Sequence, residues 1–121
     1  MEYSKLYEKI EEKIAACEEK YGKKRKVVYD STVCANELET WRFLLERVKE
    51  GEGKEDAVSL WTYLRERLDE LEKEKEREEY CPSFSWYGEH YYYLVFEGQC
   101  DAYRGMIELL EEQICETGGI T

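Results

Sequence analysis

YLVFEGQCDAYRGMIELLEEQI, residues 93 to 114, is the stretch whose reading decides the fold. Its apolar members Tyr93, Phe96, Cys100, Tyr103, Ile107, Leu110 and Ile114 recur at alternating steps of three and four. That spacing places them on one seam of an α-helix, the geometry of helical bundles and coiled coils. Three further stretches share it: Tyr3, Tyr7, Ile10, Ile14, Cys17, Tyr21; then Cys34, Leu38, Trp41, Leu45, Val48; then Ala57, Trp61, Leu64, Leu68, Leu71. The expected fold is all-α, a four-helix bundle built from two helical hairpins with heptad-like packing.

The third seam is the first displaced by 54 residues, and the fourth is the second displaced by 62. Any two heptad seams align, but the second displacement also pairs Glu39 with Asp101, Arg42 with Arg104, Glu46 with Glu108 and Glu50 with Glu112. An internal duplication of one hairpin accounts for this. The displacements differ by eight, the length of the run EKEKEREE from Glu72 to Glu79, which reads as two extra turns overhanging the core.

At 121 residues the chain can bury roughly two-thirds of its unfolded surface, enough for one domain without metal or disulfides. We expect a single domain over 1–121, with hairpins at 1–50 and 54–117. One proline, Pro82, and glycines clustered at Gly51, Gly53 and Gly118 to Gly119 mark no second boundary. No apolar run approaches the ~20 residues of a membrane span, and MEYSKLYEKI lacks an apolar signal region. The expected setting is cytoplasmic, that of a host cell if the protein is viral, with no membrane contact.

The pattern predicts helices over about Glu2–Tyr21, from between Val27 and Val33 to Glu50, over Lys54–Glu79 and over Gly88–Glu116. Asp30, Ser31 or Thr32 is the expected N-cap of the second helix. The segment Phe84 to Phe96, FSWYGEHYYYLVF, also suits a strand, since aromatic and β-branched residues favour extended pairing. The seam continuing back to Tyr93 favours helix. One asparagine, two glutamines and 39% charged residues resemble thermophile usage. Of the five cysteines, Cys17, Cys34 and Cys100 lie on seams and read as small buried hydrophobes, or as inter-helix disulfides. Cys81, beside Pro82, reads as exposed. With no Cys-x-x-Cys and one histidine, a zinc site is not expected.

That same segment, Phe84 to Phe96, leading into the fourth helix, is the candidate contact surface. With Tyr93 and Cys100 on the seam, Tyr91, Leu94 and Val95 fall on outer positions, so the helix is apolar nearly all round and needs a cover. That cover is the third helix, a second subunit or a partner protein. Gly98 and Gly105, a heptad apart, read as outward positions where another backbone approaches. Trp86 and Tyr87 precede the helix off the seam and are the aromatics most suited to a partner. Trp41 and Trp61 read as core, and His90 as a member of the aromatic cluster.

Charge is unevenly spread. Residues 1–53 hold 12 acidic and 11 basic residues, net −1, and residues 54–121 hold 17 and 7, net −10, of the total −11. Glu97, Asp101, Glu108 and Glu112 form a row along the fourth helix, read either as a solvated face or as a surface for a basic partner. The only basic cluster, Lys23 to Lys26, is too small for a phosphate backbone, so direct nucleic-acid binding is not expected.

No phosphate loop, nucleophile elbow or metalloprotease motif occurs, so no catalytic, cofactor-binding or metal-ligating residue is expected. Pairs such as Glu8 with Glu11, Glu66 with Asp69 and Glu108 with Glu111 have the spacing of Mg²⁺-dependent all-α pyrophosphohydrolases, but 29 acidic residues generate such pairs freely. Small, acidic and aromatic-rich, the chain is similar in type to accessory proteins of viruses and mobile elements, including anti-CRISPR inhibitors that imitate nucleic-acid charge. That resemblance implies a non-enzymatic protein acting on a protein partner with a basic surface. A structural protein acting through homodimers or larger assemblies is the alternative, and the hydrolase a third.

Overall fold

Four helices make up the described chain: α1 (Tyr3–Lys24), α2 (Val28–Gly51), α3 (Ala57–Tyr80) and α4 (Tyr91–Glu116). The computed structural model describes residues 2–24 and 28–116, with side chains described except at 24, 28–30 and 116. The all-α bundle expected from the seams is found, and the described residues contain no strand.

The helix boundaries differ from the periodicity where local backbone chemistry intervenes. α2 begins at Val28, so Asp30, Ser31 and Thr32 lie within its first turns and not at the position before it. α3 begins three residues later than Lys54. Asp56, with extended backbone (φ −83, ψ 171), accepts a 2.7 Å hydrogen bond from the Ser59 N–H and caps the helix. Before that cap the chain turns, with the Glu55 N–H donating to the Gly51 carbonyl at 2.9 Å and Gly53 at φ 80. α4 begins at Tyr91 and not at Gly88, because Gly88 (φ 117) and His90 (φ 67) occupy conformations that a right-handed helix excludes. Phe84 to His90 is therefore irregular, and only Tyr91 to Phe96 of the ambiguous segment is helical.

α4 is the hub of the packing. It lies along both α2 and α3 and touches α1, which packs mainly on α2. Arg42 reaches Glu18 between α1 and α2, and Arg104 reaches Glu72 between α3 and α4, each pair being antiparallel. α2 and α4 run parallel, with Val33 beside Gly98 and Trp41 beside Gly105. Those separations, 65 and 64 residues, lie close to the 62-residue displacement between the second and fourth seams.

This contact reverses the expected direction of the two glycines. A Cβ on Gly98 would collide with the Val33 carbonyl oxygen and stand 2.9 Å from the Glu37 nitrogen. One on Gly105 would stand 2.6 Å from the Trp41 ring. Another backbone does approach Gly98, but it is the protein's own α2, and both glycines face inward. Trp41, 1% exposed, fills the space that Gly105 opens in the core, and the α2 backbone at Val33 fills that at Gly98.

A hub helix is buried on more than one side, so the seams alone understate the core. Ala102, Met106 and Leu109 of α4 are buried off its seam, as are Leu6, Leu44 and Leu60 elsewhere. Leu94, assigned to an outer position, is buried too. At the seam ends the reverse holds: Tyr21 is exposed, and Tyr3, Tyr7, Ile14, Ala57 and Trp61 are only partly buried.

Cys17, Cys34 and Cys100 are buried free thiols, while Cys81 and Cys115 are free and exposed. Burial, reinforced by Glu37, pushes the Cys17 thiol up to about 12, leaving it protonated and unreactive at neutral pH. No helix of the described chain is long and apolar enough to cross a membrane.

Candidate functional site

The ten residues between α3 and α4 form a structured cap over one end of the bundle. Its anchor is Glu78, a carboxylate near the end of α3 that is only 2% exposed. The Ser83 N–H donates to it at 2.7 Å and the Ser83 hydroxyl at 2.6 Å, with Arg77 3.7 Å away. These hydrogen bonds, the hydroxyl's foremost, hold the carboxyl below its ordinary range despite burial. The Cys81 N–H donates to the Arg77 carbonyl at 2.8 Å, closing α3. Beyond Ser83, the Gly88 N–H bonds the Ser85 carbonyl and the Tyr87 N–H bonds the Ser85 hydroxyl.

This scaffold holds large aromatic side chains in solvent. Trp86 is 91% exposed, Tyr80, Phe84 and Tyr87 more than three-quarters or close to it, and Tyr92 is exposed on the first turn of α4. They are organised among themselves: Phe84 meets Trp86 edge-on at 5.2 Å, Tyr87 meets Tyr91 at 5.0 Å, and Tyr91 meets Tyr92 edge-on at 5.3 Å. Edge contacts of this kind are favourable and fix ring orientation without burial. Trp86 and Tyr87 are thus exposed as expected, and Tyr91 and Val95 lie half-buried behind them. Phe84 and Tyr92 belong to the segment named from sequence without being singled out in it, and Tyr80 lies outside that segment. The signal for the first two was the aromatic density of the segment itself.

The run Glu72 to Glu79 does not overhang. Glu78 is buried, Lys75 lies 5.3 Å over the Tyr93 ring, and Arg104 of α4 binds Glu72 at 2.9 Å. A run without apolar residues packs here through a hydrogen-bonded carboxylate, an ammonium over an aromatic ring and an ion pair. It lies along the Tyr93 side of α4, leaving the cap and a cleft beside Tyr93 and Leu94 open.

The acidic row divides. Asp101 is half-buried and bonded to Arg104 at 3.3 Å, and Glu97 is half-buried. Glu108 and Glu112 are exposed, and with Glu111 and Cys115 they line a shallow hollow at the far end of α4. The division is one of exposure along the helix, since steps of four, seven and four keep all four carboxylates on one side of α4. The pairs Glu8 with Glu11, Glu66 with Asp69 and Glu108 with Glu111 all face solvent. Among the described residues no group of three or more His, Cys, Asp or Glu side chains is placed to hold a metal ion.

A separate groove of about 310 Å³ runs between α2 and α3, with α4 as its floor. Asn36, Glu39, Thr40 and Phe43 form one wall, Arg67 and Leu71 the other, and Gln99 and Tyr103 the base. Phe43 is 52% exposed at its rim. Burial, then the neighbouring Tyr63, push the Tyr103 hydroxyl well above the ordinary tyrosine range, so it is a neutral hydrogen-bonding group. Near the α2–α3 turn, Arg47 is bonded to both Glu55 oxygens at 3.0 and 2.8 Å and stacked 4.5 Å over Tyr63.

No protein-family model matches the chain, and no curated protein or solved structure matches it significantly.

Proposed function

We propose that this protein acts by binding another protein through the aromatic cap between α3 and α4. The carrying observation is the exposure of Tyr80, Phe84, Trp86, Tyr87 and Tyr92 together on a hydrogen-bonded, ordered connection. Large apolar side chains gathered on a surface lower the free energy of association when they are covered, and Trp and Tyr dominate measured interface energies. The partner carries a basic surface, complementary to the net −10 of residues 54–121. Such a protein suits an accessory or inhibitory role against a nucleic-acid-binding partner, whose basic surface an acidic protein occupies in place of phosphate.

The test is affinity capture from the native host with the wild-type chain and with Phe84→Ser/Trp86→Ala/Tyr87→Ser. A protein retained by the wild type in low salt and lost with the variant identifies the partner and the surface together. If the variant retains the same proteins at the same yield, the cap is not the binding surface. Light scattering over a concentration series checks the assembly alternative. A wild-type dimer that the variant abolishes would make the cap a self-association surface.

A further inference from the structure

The aromatic end also holds two carboxylates without an internal counter-charge. Glu79, in the last turn of α3, and Glu89, just before α4, have no lysine or arginine partner among the described residues. The only group near Glu89 able to carry positive charge is His90, with Nε2 at 4.0 Å. Five carboxylates elsewhere have an arginine beside them: Glu18 has Arg42, Glu55 has Arg47, Glu70 has Arg67, Glu72 has Arg104 and Glu74 has Arg77. From Cys81 to the end of the chain Arg104 is the only lysine or arginine, so the cations near this end, Lys75 and Arg77, come from α3.

Glu79 and Glu89 line one cleft of about 360 Å³ whose other walls are His90, Tyr93 and Leu94. Leu94 gives it an apolar floor. Lys75 already lies over the Tyr93 ring, so the attraction of the cleft for a further cation comes from the two carboxylates. A second hollow of about 440 Å³ shares Glu89 and is bounded by Pro82 and Phe84.

We infer that this cleft receives an arginine or lysine side chain of the protein partner, with an apolar neighbour seated beside Phe84 and Pro82. The inference rests on the cap being the binding surface. A long basic side chain has the required dual character: its alkyl stem covers Leu94 and Tyr93 while its head bonds the carboxylates. An apolar side chain alone would leave Glu79 and Glu89 facing a desolvated surface unpaired, which penalises uncharged partners.

The probes are blocked leucine-arginine and leucine-citrulline dipeptides, alike in shape and different in charge, titrated into the isotope-labelled chain and followed by amide shifts. The arginine peptide should shift Glu79, Glu89, His90 and Tyr93 saturably, and the citrulline peptide should bind about tenfold more weakly. Glu79→Gln/Glu89→Gln should weaken the arginine peptide about tenfold and leave the citrulline peptide unchanged. Both substitutions lie on exposed side chains, and an unchanged helical spectrum confirms the fold. Equal binding of the two peptides, shifts confined to another surface, or no saturable shift would each overturn the inference. If the peptides bind alike while Phe84→Ser/Trp86→Ala/Tyr87→Ser still loses its partner, only the charge preference of the cleft fails. If the arginine peptide behaves as expected but that variant keeps the partner, the cap reading fails instead.

Discussion

The hairpin α1–α2 and the hairpin α3–α4 use the same heptad pattern to different ends. In the first, α1 packs along α2 and also touches α4, and 12 acidic residues nearly balance 11 basic ones over 1–53. In the second, α3 leans on α4 without a packed seam against α2, which leaves the groove under Phe43 open. The second also carries net −10 and a ten-residue connection whose aromatics point into solvent. A supporting hairpin closes its surfaces with its own residues. A presenting hairpin keeps some of them unmatched, and the unmatched groups coincide at the α3–α4 end.

The comparison depends on the two hairpins being joined into one cooperative unit, and the joint is Trp41 between α2 and α4. Trp41→Ala should destabilise the fold by about 3–5 kcal/mol, the largest effect expected of a single substitution here. Urea unfolding followed by far-UV circular dichroism should show a lower midpoint with one transition. Two transitions would show that each hairpin folds alone. Gly105→Ala should cost about 1–3 kcal/mol net, since overpacking against the Trp41 ring exceeds the ~1 kcal/mol that alanine contributes to a helix. In the Trp41→Ala background that cost should disappear and Gly105→Ala should become stabilising. A penalty that persists there would mean that the ring is not what crowds the site.

The heptad steps carried the helix count, the order of the elements and most of the buried seam, from Leu38 to Val48 and from Cys100 to Ile114. They could not carry the partner of each face, because periodicity specifies a stripe and not what covers it. Gly98 and Gly105 show this directly. Their close approach to a backbone was legible, and its being α2 of the same chain was not. Leu94, Met106 and Leu109 were invisible for a related reason: a helix with three neighbours buries more than one seam. The cap was legible only as an aromatic excess. Its order comes from Glu78 bonding Ser83, a contact within one connection that no hydrophobic pattern records.

Glu78 separates the two hairpins more finely than Trp41 does. Glu78→Ala leaves the Ser83 donors without their acceptor and should cost about 1–3 kcal/mol, concentrated in the cap. Amide exchange should quicken at 83–92 while α1 and α2 keep their protection. The same group makes the cap acid-sensitive. Its folded value lies below the ordinary 4.5, so its contribution is complete above that pH and is lost as pH falls through the lower folded value. Cap protection should therefore fall on acidification in the wild type and stay flat in Glu78→Gln. An unchanged wild-type profile would show that the Ser83 bonds do not hold the cap.

The smallest effect lies in a charge pair inside the first hairpin, set against the pair at the turn that joins the two hairpins. Arg42 and Glu18 meet at 3.2 Å with both side chains more than half exposed, whereas Arg47 and Glu55 meet at 2.8 Å with both about three-quarters buried. Removing the first pair with Arg42→Ala should change stability by less than about 0.5 kcal/mol, because an exposed pair is screened by water and salt. The second pair is bidentate, and its arginine stacks on Tyr63. Arg47→Ala should therefore cost clearly more, about 1–3 kcal/mol, with a weaker response to salt. Comparable losses for the two would mean that the turn between the hairpins is as open to solvent as α1, and that the joint rests on Trp41 and the two glycines alone.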